Sequence, residues 1–141
     1  MAATYNNLYL DARKRLREAG VEGAQLEARE LVCCAAGKSR EQFYRDMALY
    51  ASDPVEEKLA ELLERRLAGE PVAYLIGEWE FYGLGLDITP AVLIPRMDTE
   101  VLAERAIRLA RAAGEGARVL DLCAGSGCVG LAVAANVPGC R

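Results

Sequence analysis

The residues best placed to do chemistry lie in one stretch, Arg118-Val119-Leu120-Asp121-Leu122-Cys123-Ala124-Gly125-Ser126-Gly127. An apolar run leads to a carboxylate, a loop of small residues follows, and a second apolar segment begins after it. A strand that turns through small residues into a helix offers free backbone N–H groups and the positive end of the helix dipole to a polar or anionic ligand. Small side chains let that ligand approach the backbone closely.

Two ligand classes suit this pattern. Gly125-x-Gly127-x-x-Gly130 has the spacing of a dinucleotide-binding turn. In that turn, however, the first glycine directly follows the strand. Here Asp121 stands at the strand end and would repel a pyrophosphate. The acid that confirms such a site, ~20 residues further on, would fall at or beyond Arg141. S-adenosylmethionine fits differently. Asp121 suits its ammonium, and the N–H groups of the loop suit its carboxylate. The charge on Asp121 favours this second ligand. A tight strand-to-helix turn that holds nothing is the third reading.

The whole chain sets limits on function. Its 141 residues suffice for one modest domain or two small ones, and at 52% hydrophobic it can build a core. A formal charge of −4 argues against binding nucleic acid through bulk charge. The charge divides evenly, with 11 basic and 13 acidic side chains in residues 1–70 and 6 and 8 in residues 71–141. There is no histidine, so the commonest general base and metal ligand is missing. The five cysteines, Cys33, Cys34, Cys123, Cys128 and Cys140, show no Cys-x-x-Cys spacing. No metal site and no disulfide framework are expected, and the thiols read as reduced. The N-terminal residues lack the pattern of a secretory signal, and no apolar run nears the ~20 residues that span a bilayer. A soluble cytoplasmic protein is expected.

The elements that must position the loop are punctuated clearly. Thr4 can cap a helix with Tyr5, Leu8, Ala12, Leu16 and Ala19 on its apolar face, and Gly20 can stop it. A second helix carries Ala24, Ala28, Leu31 and Ala35 on one side and ends at Gly37. Ser39 and Gln42 form a capping box for a third. Asp53, Pro54 and Glu56 read as cap, first position and box of a fourth, whose face is Val55, Leu59, Leu62, Leu63 and Leu67, with Gly69 after it. Four amphipathic helices make a small bundle. The character changes at Pro71. The run Ala73–Ile88 is aromatic and branched, with alternation on either side of Gly83, and reads as a β-hairpin. A further helix starts near Asp98, with Val101, Ile107, Leu109 and Ala110 as its apolar face, and stops at Gly114. Arg118–Leu122 reads as a short buried strand, and a helix is expected from Gly127 to Ala135. The basic cluster Arg13, Lys14, Arg15 and Arg17 reads as a solvated helix face.

Three blocks carry a resemblance to a known family. They are Gly69-Glu70-Pro71-Val72-Ala73-Tyr74-Leu75-Ile76-Gly77 with Glu80-Phe81, then Leu93-Ile94-Pro95-Arg96-Met97-Asp98-Thr99-Glu100, then Val119-Leu120-Asp121-Leu122-Cys123-Ala124-Gly125-Ser126-Gly127. In order and spacing the chain resembles the N-terminal half of the release factor glutamine methyltransferases, the HemK-type enzymes. The third block is common to many methyltransferases; the first two together are more specific. Met97 stands where the family often has proline, and Cys123 where glycine is common.

The resemblance implies an α+β arrangement: a helical substrate-docking domain at residues 1–70, a β-hairpin linker at 71–94, and the start of a Rossmann-like α/β methyltransferase domain at 95–141. It implies methyl transfer from S-adenosylmethionine to the glutamine amide of a Gly-Gly-Gln tripeptide in peptide chain release factors, which modifies a protein of translation termination. It implies that Asp121, Cys123, Ala124, Gly125, Ser126 and Gly127 surround the cofactor, with Arg96, Thr99 and Glu100 near its pocket. The family's catalytic Asn-Pro-Pro-Tyr motif does not occur in these 141 residues. The expectation is therefore an inactive fragment, with no catalytic residue of its own and neither membrane nor direct nucleic-acid binding. A dinucleotide-dependent oxidoreductase fragment and a non-catalytic module that binds a translation factor are the alternatives.

Overall fold

Side-chain caps fix where the first helices begin. In the computed structural model, which describes residues 3–141, the Thr4 hydroxyl accepts the Asn7 N–H at 3.2 Å and starts α1, Tyr5–Glu18. Helix α2 spans Ala24–Ala36 and ends at Gly37, whose φ of +62° suits a residue without a side chain. Ser39 and Gln42 close a reciprocal capping box on α3, Arg40–Asp46, as the sequence predicts. Helix α4 covers Asp53–Leu67 and α5 covers Val72–Ile76. The chain divides into two units, the first running to Ile76 and the second from Gly77 to Arg141.

In the first unit α2 is the central element and touches α1, α3, α4 and α5. Its Ala28, Leu31 and Val32 are wholly buried, together with Leu16 of α1 and Phe43 of α3. Burying each Leu, Val or Phe contributes ~1.5–3 kcal/mol against ~1 kcal/mol for a typical cap, and five such side chains or alanines meet at α2, so packing there holds the bundle. A bidentate pair from Arg66 to Glu27, at 2.6 and 3.2 Å, ties α4 to α2. Asp46 is the one buried charged residue among those described. It receives Lys38 at 2.7 Å and Arg45 at 3.0 Å.

Four expectations fail in this unit. Ala19 is exposed and lies past the end of α1. The cap of α4 is Ser52 rather than Asp53, and neither makes a side-chain capping bond. Glu56 closes no box, because its carboxylate accepts the Ala3 N–H at 2.9 Å. The residues of α5, expected in the hairpin, are helical. Val72 and Ala73 are buried, and α5 rests on α2 and α4, so tertiary packing overrides the strand preference of a branched and aromatic run.

The second unit begins with the hairpin. Strand β1, Glu78–Phe81, pairs antiparallel with β2, Leu84–Asp87, with Phe81 opposite Leu84. The two-residue connection is Tyr82-Gly83, with φ of +49° and +76°. Positive φ at both positions gives a turn whose twist matches that of the strands. Helices α6, Thr99–Ala113, and α7, Cys128–Asn136, pack against each other. Phe81, Ala103, Cys128 and Ala132 form one core cluster, and Ile107, Ala110, Val133 and Val137 form another. Half-buried Tyr82 packs on both.

Two corrections apply here. The buried stripe of α6 is Ala103, Ile107 and Ala110, at steps of four and three; Val101 and Leu109 face outward at 70% and 60% exposure. Arg118–Leu122 is not a strand. A strand exists only through a ladder, and this segment has backbone bonds only at its start, where Arg141 accepts from Val119 N–H at 2.7 Å and donates to the Ala117 carbonyl at 2.8 Å. Leu120 is 85% exposed. The structure is therefore helical with one two-stranded sheet, and no parallel sheet is formed by the described residues. Among them no helix is long and apolar enough to cross a membrane.

Candidate functional site

The loop Cys123–Gly127 leads into α7 through three residues in the left-handed region. Cys123, Gly125 and Gly127 have φ of +58°, +59° and +77°. Glycine adopts this conformation freely, whereas a cysteine is strained there. The Gly127 N–H closes a turn on the Ala124 carbonyl at 2.8 Å, and the Gly127 carbonyl accepts the Leu131 N–H at 2.8 Å as α7 begins. A Cβ at Gly125 would meet no atom within 4 Å, so the space beside it is open. Cys123, Ala124 and Gly125 are exposed; Ser126 and Gly127 are half-buried.

Asp121 is half-buried and turned back towards the helix. Its Oδ2 accepts the Gly130 N–H at 2.9 Å. A helix leaves its first N–H groups without intrahelical partners, and Asp121 occupies the third of these in α7. Sequence reasoning saw Gly130 only as the last glycine of a spacing. The structure gives it a second role, since a Cβ there would lie 3.0 Å from Asp121 Oδ2.

The second predicted group divides. Arg96 is exposed, while Thr99 and Glu100 are half-buried at the start of α6. The Glu100 carboxylate accepts the Tyr82 N–H at 2.9 Å, so it is engaged with the hairpin turn. Asp98 precedes α6 without a side-chain capping bond. The helix that follows the loop packs on α6, through the cluster in which Ala103 of α6 meets Cys128 and Ala132 of α7. A shallow, open depression lies elsewhere in this unit, lined by Gly116, Arg118, Val119, Leu120 and Arg141. It includes none of the loop residues, and the polar loop is the better candidate on chemical grounds.

The cysteines differ in environment. Burial pushes the Cys33 thiol up to about 11, helped by the nearby Glu30 carboxylate, so Cys33 stays protonated at neutral pH. Cys123 is exposed and Cys128 is buried.

A helical unit followed by a hairpin and a small-residue loop opening a helix defines a class: a mixed helical protein with one small two-stranded sheet. The family model of the PrmC N-terminal domain matches residues 7–77, and the chain belongs to that family. It is 41% identical over 120 residues to a release factor glutamine methyltransferase of Haemophilus influenzae, covering 82% of this chain and 41% of the relative. It is 41% identical over 126 residues to one of Geobacter sulfurreducens, covering 89% and 43%. It is 38% identical over 138 residues to one of Vibrio cholerae, covering 98% and 48%. The chain thus spans less than half the length of these curated relatives.

Proposed function

We propose that this chain contributes the docking and donor-binding parts of a methyltransferase that takes its methyl group from S-adenosylmethionine and transfers it to the glutamine amide of the Gly-Gly-Gln tripeptide in peptide chain release factors. The observation that carries this reading is the extent of the likeness. The Vibrio cholerae relative, named release factor glutamine methyltransferase, matches 98% of the chain and therefore runs through helical unit, hairpin and loop alike.

The loop chemistry supports the same reading. S-adenosylmethionine supplies an electrophilic methyl group on a sulfonium. The residues that would hold it are Cys123, Ala124, Gly125, Ser126 and Gly127, whose backbone N–H groups suit a carboxylate, with Asp121 as the nearby negative charge for an ammonium. Arg96 and Thr99 stand on or beside the first turn of α6 as further pocket residues. In the same reading residues 1–70 dock the release factor, residues 71–94 join that module to residues 95–141, and the protein works in the cytoplasm. A nicotinamide dinucleotide is the poorer ligand, because its pyrophosphate would approach a carboxylate.

The test is titration calorimetry of the chain with S-adenosylmethionine and, separately, with NAD, together with capture of a release factor on immobilised chain. Saturable binding of S-adenosylmethionine and retention of the release factor are expected. Binding of NAD with none of S-adenosylmethionine would reverse the assignment.

A further inference from the structure

Five arginines lie in α2, α3 and α4, and each meets a carboxylate at 3.0 Å or less, as Arg66 meets Glu27. Helix α1 holds three more, Arg13, Arg15 and Arg17, and none of them has a partner among the described residues. Acids are not scarce, since residues 1–70 carry 13 against 11 bases. The one ion pair on α1 among the described residues joins Lys14 to Glu18 at 4.0 Å.

Helical spacing decides which of these side chains share a face. Residues three and four apart are neighbours, and residues two apart are not. Steps of three and four join Leu10, Arg13, Lys14 and Arg17 into one patch, and leave Arg15 outside it. Tyr5, Ala12 and Leu16 face the core on the other side. Leu10 is 48% exposed, Lys14 and Arg17 are exposed, and Arg13 is half-buried. Basic residues in the last turn suit the negative end of the helix dipole, which accounts for Arg15 and Arg17. The dipole does not account for Arg13 and Lys14. Nor does it offset the like-charge step from Arg13 to Arg17, which opposes the helix.

Three cations around an apolar side chain suit one kind of occupant. Carboxylates answer the cations, and an apolar residue between them answers Leu10. A protein segment offers both. A nucleic acid offers charge alone, and it would run past a patch only about 10 Å long. Beyond the patch it would meet a surplus of acid.

We propose that this face of α1 docks an acidic segment of a partner protein, with carboxylates on Arg13, Lys14 and Arg17 and an apolar residue on Leu10. The inference rests on the reading that residues 1–70 dock a release factor, and adds the face they use and the chemistry of the segment it takes.

The test is biolayer interferometry of the full chain on an immobilised release factor, at low and at high salt. It is made on the unsubstituted chain, on the double variant Arg13→Gln/Arg17→Gln, on Leu10→Ala, and on Lys58→Gln, which removes an exposed charge from α4 as a control. Glutamine and alanine are good helix formers, and circular dichroism checks that α1 persists. Binding to the unsubstituted chain weakens as salt rises. The double variant binds about tenfold more weakly at low salt and loses most of the salt dependence. Leu10→Ala binds more weakly with the salt dependence kept, and Lys58→Gln binds as the unsubstituted chain does. If the double variant also binds as the unsubstituted chain does, this inference falls and the docking reading stands. If the unsubstituted chain does not bind the release factor, both fall. A short single-stranded RNA is the second probe. Saturable RNA binding that the double variant loses would overturn the assignment to a protein segment.

Discussion

The Glu100 carboxylate accepts the Tyr82 N–H at 2.9 Å, joining the first turn of α6 to the turn of the hairpin. A lone hairpin is marginal in water. This one is held by that bond and by Tyr82 and Phe81, which pack into the clusters shared with α6 and α7. The bond is charge-assisted and half-buried, so its loss leaves the Tyr82 N–H without an acceptor. Glu100→Ala is expected to cost ~1.5–3 kcal/mol in urea unfolding. Glu100→Gln, whose side-chain oxygen can still accept, is expected to cost less than half as much. Equal losses in the two variants would show that the charge matters rather than the bond.

Gly130 and Asp121 should be energetically coupled. On helix propensity alone, Gly130→Ala gains ~1 kcal/mol. Against this, the new Cβ lies 3.0 Å from Asp121 Oδ2 and disturbs a capping bond of similar worth. The two effects nearly cancel in the unsubstituted chain. In an Asp121→Ala background the second effect disappears, and Gly130→Ala should then stabilise by the full ~1 kcal/mol. A double-mutant cycle by chemical unfolding reads the difference, and additive effects would mean that the two residues do not interact.

Cys123 is an exposed cysteine held at φ +58°. Left-handed backbone costs a residue with a Cβ ~1–2 kcal/mol. Glycine removes that cost, while its freer unfolded chain takes back ~0.5–1 kcal/mol. Cys123→Gly should therefore stabilise by ~0.5 kcal/mol, seen as a higher urea midpoint at unchanged slope. A lower midpoint would mean that the thiol makes a favourable contact.

The thiols should also separate by reactivity. With iodoacetamide at pH 8, Cys123 is expected to be alkylated first. Cys33 is expected to stay unmodified, because it is buried and its thiol is pushed up to about 11. Peptide mass mapping over time checks this, and early loss of the Cys33 thiol would show that α2 opens readily.

What could be read in the sequence was what short-range chemistry decides. Thr4 and Ser39 cap their helices because donor and acceptor lie three residues apart, and Gly83 sits between two alternating runs. Glu56 was misread because its partner, the Ala3 N–H, is 53 residues away. Arg118–Leu122 has the residues of a buried strand, but propensity reports side chains that suit a sheet and cannot supply the neighbouring strand. Asp121 was legible as a charge beside the loop. That its carboxylate turns onto Gly130 depends on the path of the chain between them, which no spacing records.

Asp46 makes the helical unit sensitive to acid. Hydrogen bonds from Arg45 and Lys38 hold its carboxyl down to about 2, against an ordinary value near 3.8. Unfolding releases those partners and returns the group to its ordinary range. The contribution to stability is therefore complete above pH ~4 and is lost as pH falls towards 2, where the folded form also takes up the proton. Lys38 Nζ lies 5.1 Å from the centre of the Tyr5 ring, so the cluster also ties the end of α2 to α1 and α3. Asp46→Asn should lower stability by a constant amount from pH 7 to 4, and that deficit should shrink between pH 4 and 2. Urea unfolding of both chains across this range gives the two curves. Curves that stay parallel down to pH 2 would mean that the carboxyl is not held by its basic partners.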